Sequence, residues 1–204
     1  DSGGEGRGAA ALPSMAIHRL MDGMESISDL LERAEVVILM AGLGGGMGSG
    51  ASGELAKMAK QFGSLVLSVV GLPFAEQPLR CAIAEEALPS LEAHSDVCIR
   101  VSMERLAWQS RRRKTNWMLG SGWIGELVEG LVTTLASVGR INLDLMDMRA
   151  IINKTGNATL IVGTGSSENP SSVVEMARNS PLNDVSIEGA KGCMIQVEGG
   201  PDMT

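Results

Sequence analysis

Gly42 to Gly53 reads GLGGGMGSGASG, and its setting decides how the chain folds. An apolar run, Val36-Val37-Ile38-Leu39-Met40-Ala41, precedes it, and a helical pattern from Ser52 to Phe62 follows. The reading is a buried strand over Glu35–Met40, a glycine turn, and a helix. Glycine lacks a Cβ, so the backbone can turn tightly and a ligand can approach it. Free N–H groups at a helix N-terminus, with the helix dipole behind them, suit an anion such as phosphate. No Lys follows the glycines, so the P-loop pattern is not met. Gly48, Gly50 and Gly53 satisfy GxGxxG, which leaves a dinucleotide site open. A tight turn with spare glycines is the plain alternative.

Composition narrows the classes. The chain has 204 residues, enough for one large domain or two small ones. With no Tyr, 2 Phe and 13 Met, the core is built from aliphatic side chains and Met. Its 26 Gly exceed the usual share of about 7%. A net charge of −7 argues against a general nucleic-acid binder, which needs a basic face. Cys81, Cys98 and Cys193 are far apart among apolar neighbours and read as buried free thiols in a reducing compartment. His18 and His94 have no metal partners in the sequence. No apolar run approaches the roughly 20 residues of a membrane span, and no signal peptide is visible. No membrane insertion is expected.

The remaining segments extend the pattern. Ser2–Gly8 (SGGEGRG) reads as a flexible loop. Pro13 opens an amphipathic helix with Met15, Ala16, Leu20, Met24, Ile27, Leu30 and Leu31 on one face, weakened at Gly23. Gly63 suits the end of the 52–61 helix. The Leu65–Val70 run is apolar throughout, as in a parallel sheet covered on both faces. Gly71–Arg80, GLPFAEQPLR, is a loop carrying Glu76 and Arg80 past a strand's C-terminal end, where open α/β sheets bind ligands. A helix over Cys81–Leu91 and a strand over Val97–Val101 complete a β-α-β-α-β run, the signature of a parallel sheet. Arg111–Lys114, between Trp108 and Trp117, reads as a solvated loop before a helix, with a polyanion patch as the alternative. A long helix is expected over Leu119–Val138. Asn142, Asp144 and Asp147 converge if Asp144 starts a helix. Such carboxylates can hold a metal or orient a water, and helix capping is the plain reading. Strands over Ala158–Gly163 and Cys193–Val197, with a helix over Ser171–Asn179, suggest a smaller α/β unit.

These segments, in this order, resemble the FtsZ family of tubulin-like cell-division GTPases over nearly the whole chain. GGGMGSG is similar to the family's glycine signature, with Met47 and Ser49 at its two usual Thr places. PFAEQPLR, Pro73–Arg80, resembles its Pro-Phe loop, one residue short. NLDLMD, Asn142–Asp147, matches its Asn-x-Asp-x-x-Asp loop, and Ser180–Gly200 follows its C-terminal subdomain.

The resemblance implies a parallel Rossmann-like α/β GTPase sheet lacking its first strands, a long central helix and a smaller C-terminal subdomain. The expected domains are a partial GTP-binding domain at 1–115, the central helix at 116–139 and an incomplete C-terminal subdomain at 140–204. It implies GTP or GDP as ligand, with Mg2+. Gly44, Gly45, Gly46, Met47, Gly48, Ser49 and Gly50 would hold the phosphates, and Gly4–Gly8 would match a second phosphate loop. Glu76 would meet the ribose and Arg80 the nucleotide nearby. Trp117 would stack on the base; Ser121 stands where the family reads the guanine edge with Asp or Asn. Asn142, Asp144 and Asp147 would serve catalysis on the nucleotide of the next subunit in a head-to-tail filament. It implies a cytoplasmic place at the division site, with other FtsZ-like subunits and division proteins as partners. Two alternatives stay open: a divergent, non-hydrolysing paralogue acting as an assembly partner, and an oxidoreductase binding a dinucleotide at Gly48, Gly50 and Gly53.

Overall fold

A computed structural model describes residues 9–113, 132–133, 144–152, 158–159, 165–166, 168–178, 187–195, 197 and 199–200. The chain divides into two compact units, Asp1–Glu104 and Arg105–Thr204.

In the first unit, three parallel strands, β1 (Val36–Gly42), β2 (Leu65–Leu72) and β3 (Val97–Ser102), lie in sequence order. Val36 pairs with Leu65 and Gly42 with Gly71, so β1 and β2 end together; Leu67 pairs with Val97 and Leu72 with Ser102. Helices α3 (Gly46–Gln61) and α4 (Pro78–Ala93) make the two crossovers. Strand β2 is buried from Leu65 to Gly71, as a central parallel strand must be. Val66 and Val70 face a core closed by Leu39, Ala56, Ala59, Leu88 and Leu91. Each large aliphatic side chain buried there contributes about 1.5–3 kcal/mol.

The edge of the sheet where the strands begin is tied shut. The Asp96 carboxylate accepts from Val66 N–H at 2.8 Å and from Lys60 Nζ at 2.7 Å. Ser64 Oγ donates to Ala34 O at 2.6 Å. The opposite edge, where the strands end, carries the glycine turn.

Several expectations change. The helix expected from Ser52 begins six residues earlier, at Gly46. Each glycine costs a helix about 1 kcal/mol against alanine, but here close packing of neighbouring backbones offsets that cost. The single helix from Pro13 is two, α1 (Pro13–Asp22) and α2 (Met24–Glu32), parted at Gly23. Arg111–Arg113 end a helix, α5 (Met103–Arg113), instead of forming a loop. Glu104 in its first turn suits the helix dipole. Cys81 and Cys98 are half-buried and Cys193 is exposed, against the expectation of three buried thiols.

In the second unit, α6 (Leu145–Ile152) buries Met148, and α7 (Pro170–Arg178) starts after Asn169, whose Oδ1 accepts from Ser172 N–H at 3.2 Å. Ala158 sits in a single β-bridge. Of the strand expected over Cys193–Val197, the described residues, Cys193–Ile195 and Val197, form none. Ile195 is 77% and Val197 67% exposed, so no apolar face is buried there to reward strand pairing. The long helix expected over Leu119–Val138 lies outside the described residues except for Val132 and Thr133, which are helical.

Candidate functional site

The site grows from the turn between β1 and α3. Leu43 N–H donates to Gly71 O at 2.9 Å, so the chain leaves β1 still tied to β2. Gly44 then takes φ +88°, a left-handed conformation open to glycine at little cost. Its N–H donates to Ser49 Oγ at 2.9 Å, in a buried bond that pins the turn to the helix it precedes. A Cβ at Gly44 would lie 2.7 Å from Arg80 O, so the turn rests directly on the first turn of α4. Two helix N-termini therefore adjoin.

Neither is capped by a side chain, and neither first turn carries an acid. The N–H groups of Gly46, Met47 and Gly48 have no partner among the described residues. Such donors, with two helix dipoles behind them, favour an anion. Gly48 has a second role. A Cβ there would sit 2.0 Å from Gly42 O, so only glycine lets α3 start this close to β1.

The expected phosphate residues divide. Gly45, Met47 and Gly48 are accessible, while Gly44, Gly46, Ser49 and Gly50 are buried. Ser49 Oγ accepts from the turn, which leaves its own proton to donate. The place beside Gly50 is filled by α1, with Pro13 O 2.2 Å from where a Cβ would stand. Gly48, Gly50 and Gly53 all lie within α3, not in the strand-to-helix turn that a dinucleotide fingerprint requires.

Glu76 and Arg80 lie exposed where the β2–α4 connection enters α4. One residue that sequence reading missed joins them. Glu104 Oε1 accepts from Ala75 N–H at 2.7 Å. Nothing in the sequence marks that contact, since the partners are 29 residues apart. Beside β1 and α3 runs a cleft of about 340 Å³, lined by Leu39, Met40, Ala41, Met47 and Leu55. Ser52 Oγ, also on this cleft, is buried with no hydrogen-bond partner among the described residues.

In the second unit Asp144 caps α6. Its Oδ1 accepts from Asp147 N–H at 2.8 Å, and Asp147 Oδ2 accepts from Asp144 N–H at 3.2 Å. This reciprocal box spends one oxygen of each carboxylate and leaves the other in solvent, since both residues are exposed. Among the described residues no three acidic, His or Cys side chains converge as metal ligands. Among them too, no helix is long and apolar enough to cross a membrane. Gly4–Gly8, Trp117, Ser121 and Asn142 lie outside the described residues.

Comparison with known proteins agrees with this geometry. Residues 1–109 match the Tubulin/FtsZ family, GTPase domain, and residues 156–204 match the FtsZ family, C-terminal domain. Cell division protein FtsZ 2 of Haloferax volcanii is 36% identical over 98% of this chain and 51% of its own length. Cell division protein FtsZ 1 of Methanocaldococcus jannaschii is 34% identical over 98% of the chain and 56% of its own. The chain thus spans about half the length of the curated relatives it matches. An FtsZ dimer from M. jannaschii superposes with a TM-score of 0.77 at 31% identity, over 88% of this chain and 53% of that one. CetZ from Methanosaeta thermophila shares the fold, with a TM-score of 0.69 at 19% identity over 90% of this chain and 54% of that one. The parallel sheet, the glycine turn and these matches together place the chain in the Tubulin/FtsZ family, as a relative of the FtsZ cell-division proteins.

Proposed function

We propose that the chain is the nucleotide-handling part of a cell-division GTPase that binds GTP or GDP with Mg2+ and assembles head to tail. The observation that carries this is the uncapped start of α3, where the accessible Met47 and Gly48 and the buried Gly46 have amides without a partner among the described residues, beside the first turn of α4. The phosphates lie on these amides, with Gly44, Gly45, Ser49 and Gly50 shaping the turn. Glu76 meets the ribose, Arg80 the nucleotide nearby, and Trp117 and Ser121 the base. Asp144 and Asp147, with Asn142, come from the next copy and orient water or a cation at the terminal phosphate. Phosphoryl transfer rests mainly on positioning and charge stabilisation, so a site divided between copies couples hydrolysis to assembly.

In this reading residues 1–115 are a partial GTP-binding domain, 116–139 a central helix and 140–204 a C-terminal subdomain. The protein works at the division site in the cytoplasm, with copies of itself, other FtsZ-like subunits and division proteins as partners. GTP turnover is expected to rise steeply with protein concentration and to collapse in Asp147→Ala. Turnover linear in protein and indifferent to that change overturns the reading.

Met47 favours a second reading. Its side chain, 40% exposed, stands in the first turn of α3 and offers no hydroxyl. A subunit that binds nucleotide without hydrolysing it, and joins assemblies of active relatives, fits that substitution. Tight GTP binding with no turnover at any protein concentration would select it.

A further inference from the structure

Glu104 has no part in the function proposed above, yet it is built into the same edge of the sheet. It stands in the first turn of α5, which follows β3 without a loop. From there its carboxylate reaches the β2–α4 connection and accepts from Ala75 N–H at 2.7 Å. Ala75 is the residue before Glu76. Other bonds of the connection run within it or to the start of α4: Gln77 N–H to Phe74 O at 3.0 Å, Cys81 Sγ to Phe74 O at 3.4 Å, and Cys81 N–H to Gln77 O at 3.0 Å. Ala75, Glu76 and Gln77 are all exposed, so packing does not fix them. A charge-assisted bond to the backbone is about twice as strong as a neutral one, and Glu104 adds such a tie, from α5, to the bonds this stretch makes with α4.

The geometry continues to the proposed nucleotide. The glycine turn follows β1 and Ala75 follows β2, and adjacent strands lie about 4.8 Å apart. That spacing is on the scale of one step from phosphate to sugar. The turn and α4 already touch at Gly44 and Arg80. A carboxylate can only accept hydrogen bonds, and ribose hydroxyls donate them.

We propose that Glu104 is a positioning residue: by holding Ala75 it sets Glu76 where a nucleotide's ribose hydroxyls are read. The proposal rests on the phosphate reading of the α3 N-terminus. A purely structural Glu104, serving only the α5 dipole, would alter stability without altering which sugar is preferred.

The test measures, by calorimetry on the full chain, binding of GTP and of 2′,3′-dideoxy-GTP to the wild type, Glu104→Ala and Glu104→Gln. The wild type is expected to prefer the ribonucleotide. Glu104→Ala should lose about tenfold in GTP affinity, with the dideoxynucleotide nearly unchanged, so that the preference collapses. Glu104→Gln keeps an acceptor oxygen and should recover most of it. A Glu104→Ala chain that keeps the wild-type preference, whether or not its melting temperature falls, overturns the role of Glu104 alone. A wild type that binds neither nucleotide overturns the functional reading and the role of Glu104 with it.

Discussion

Two helix N-termini, those of α3 and α6, meet the same physical demand in opposite ways. Every helix begins with amides that have no partner in their own helix. At α3 they are left open: no side chain caps them, no acid stands in the first turn, and glycines let the helix start against β1. At α6 they are closed by the chain's own carboxylates, Asp144 and Asp147, each accepting from the other's backbone. The first arrangement invites an anion. The second repels one, and offers a water or cation the two carboxylate oxygens left over. A helix start thus acquires a binding preference from what is withheld from it as much as from what is supplied.

The largest effect is expected from Gly48→Ala. Its Cβ would meet a backbone carbonyl that cannot rotate away, so a loss of about 3 kcal/mol of stability is expected in denaturant unfolding, with nucleotide binding gone. Gly45→Ala sharpens the same point. Nothing stands within 4 Å of a Cβ there and φ is −110°, so stability should change by less than about 1 kcal/mol. If phosphate rests on these amides, GTP affinity should still fall about tenfold. Unchanged affinity would place the phosphate elsewhere.

At α6 the roles of cap and charge can be separated. Asp144→Ala should cost about 1 kcal/mol, read as fraying of Leu145–Ile152 in hydrogen exchange. Asp144→Asn should change stability by only a few tenths of a kcal/mol, because Asn caps as well as Asp. On the proposed divided site it should still lower GTP turnover. Turnover equal to wild type in Asp144→Asn would leave Asp144 as a cap and nothing more.

The smallest effect concerns the thiols. Burial, and secondarily Glu92, push the Cys98 thiol up from 9.0 to about 11, with Arg100 opposing. Above pH 9 the unfolded chain sheds this proton while the folded one keeps it. The unfolded state then binds fewer protons, and the stability contributed by Cys98 is lost between about pH 9 and 11. Cys98→Ser should flatten that window in alkaline unfolding. At pH 8, alkylation followed by mass spectrometry should label exposed Cys193 well before Cys98.

The legible parts share one property: they depend on neighbours in sequence. The apolar runs gave β1, β2 and β3 within a residue or two, and the glycine signature, the Pro-Phe loop and NLDLMD pointed to the family before any coordinates. Local pattern fails where distant segments decide. Propensity argued against a helix through Gly46–Gly53, because it cannot count the close approaches to Gly42, Pro13 and Ser90. Asp144 and Asp147 were read correctly as neighbours on one face, but that both cap each other and keep a free oxygen needed the backbone geometry. Glu104 carried no signal, since a single carboxylate beside a strand end is common and its partner is 29 residues away.

The sequence alone determined that this is a parallel α/β protein with a glycine turn at the end of its first strand, because strand burial and glycine's backbone freedom are written locally. Which glycines stay accessible at the start of α3 and which pack against α1, α4 or β1 is set by the tertiary structure. It alone showed that α3 and α4 begin side by side and that Glu104 tethers the Glu76 loop. Those features are set by contacts between residues far apart in the chain, and no local pattern records them.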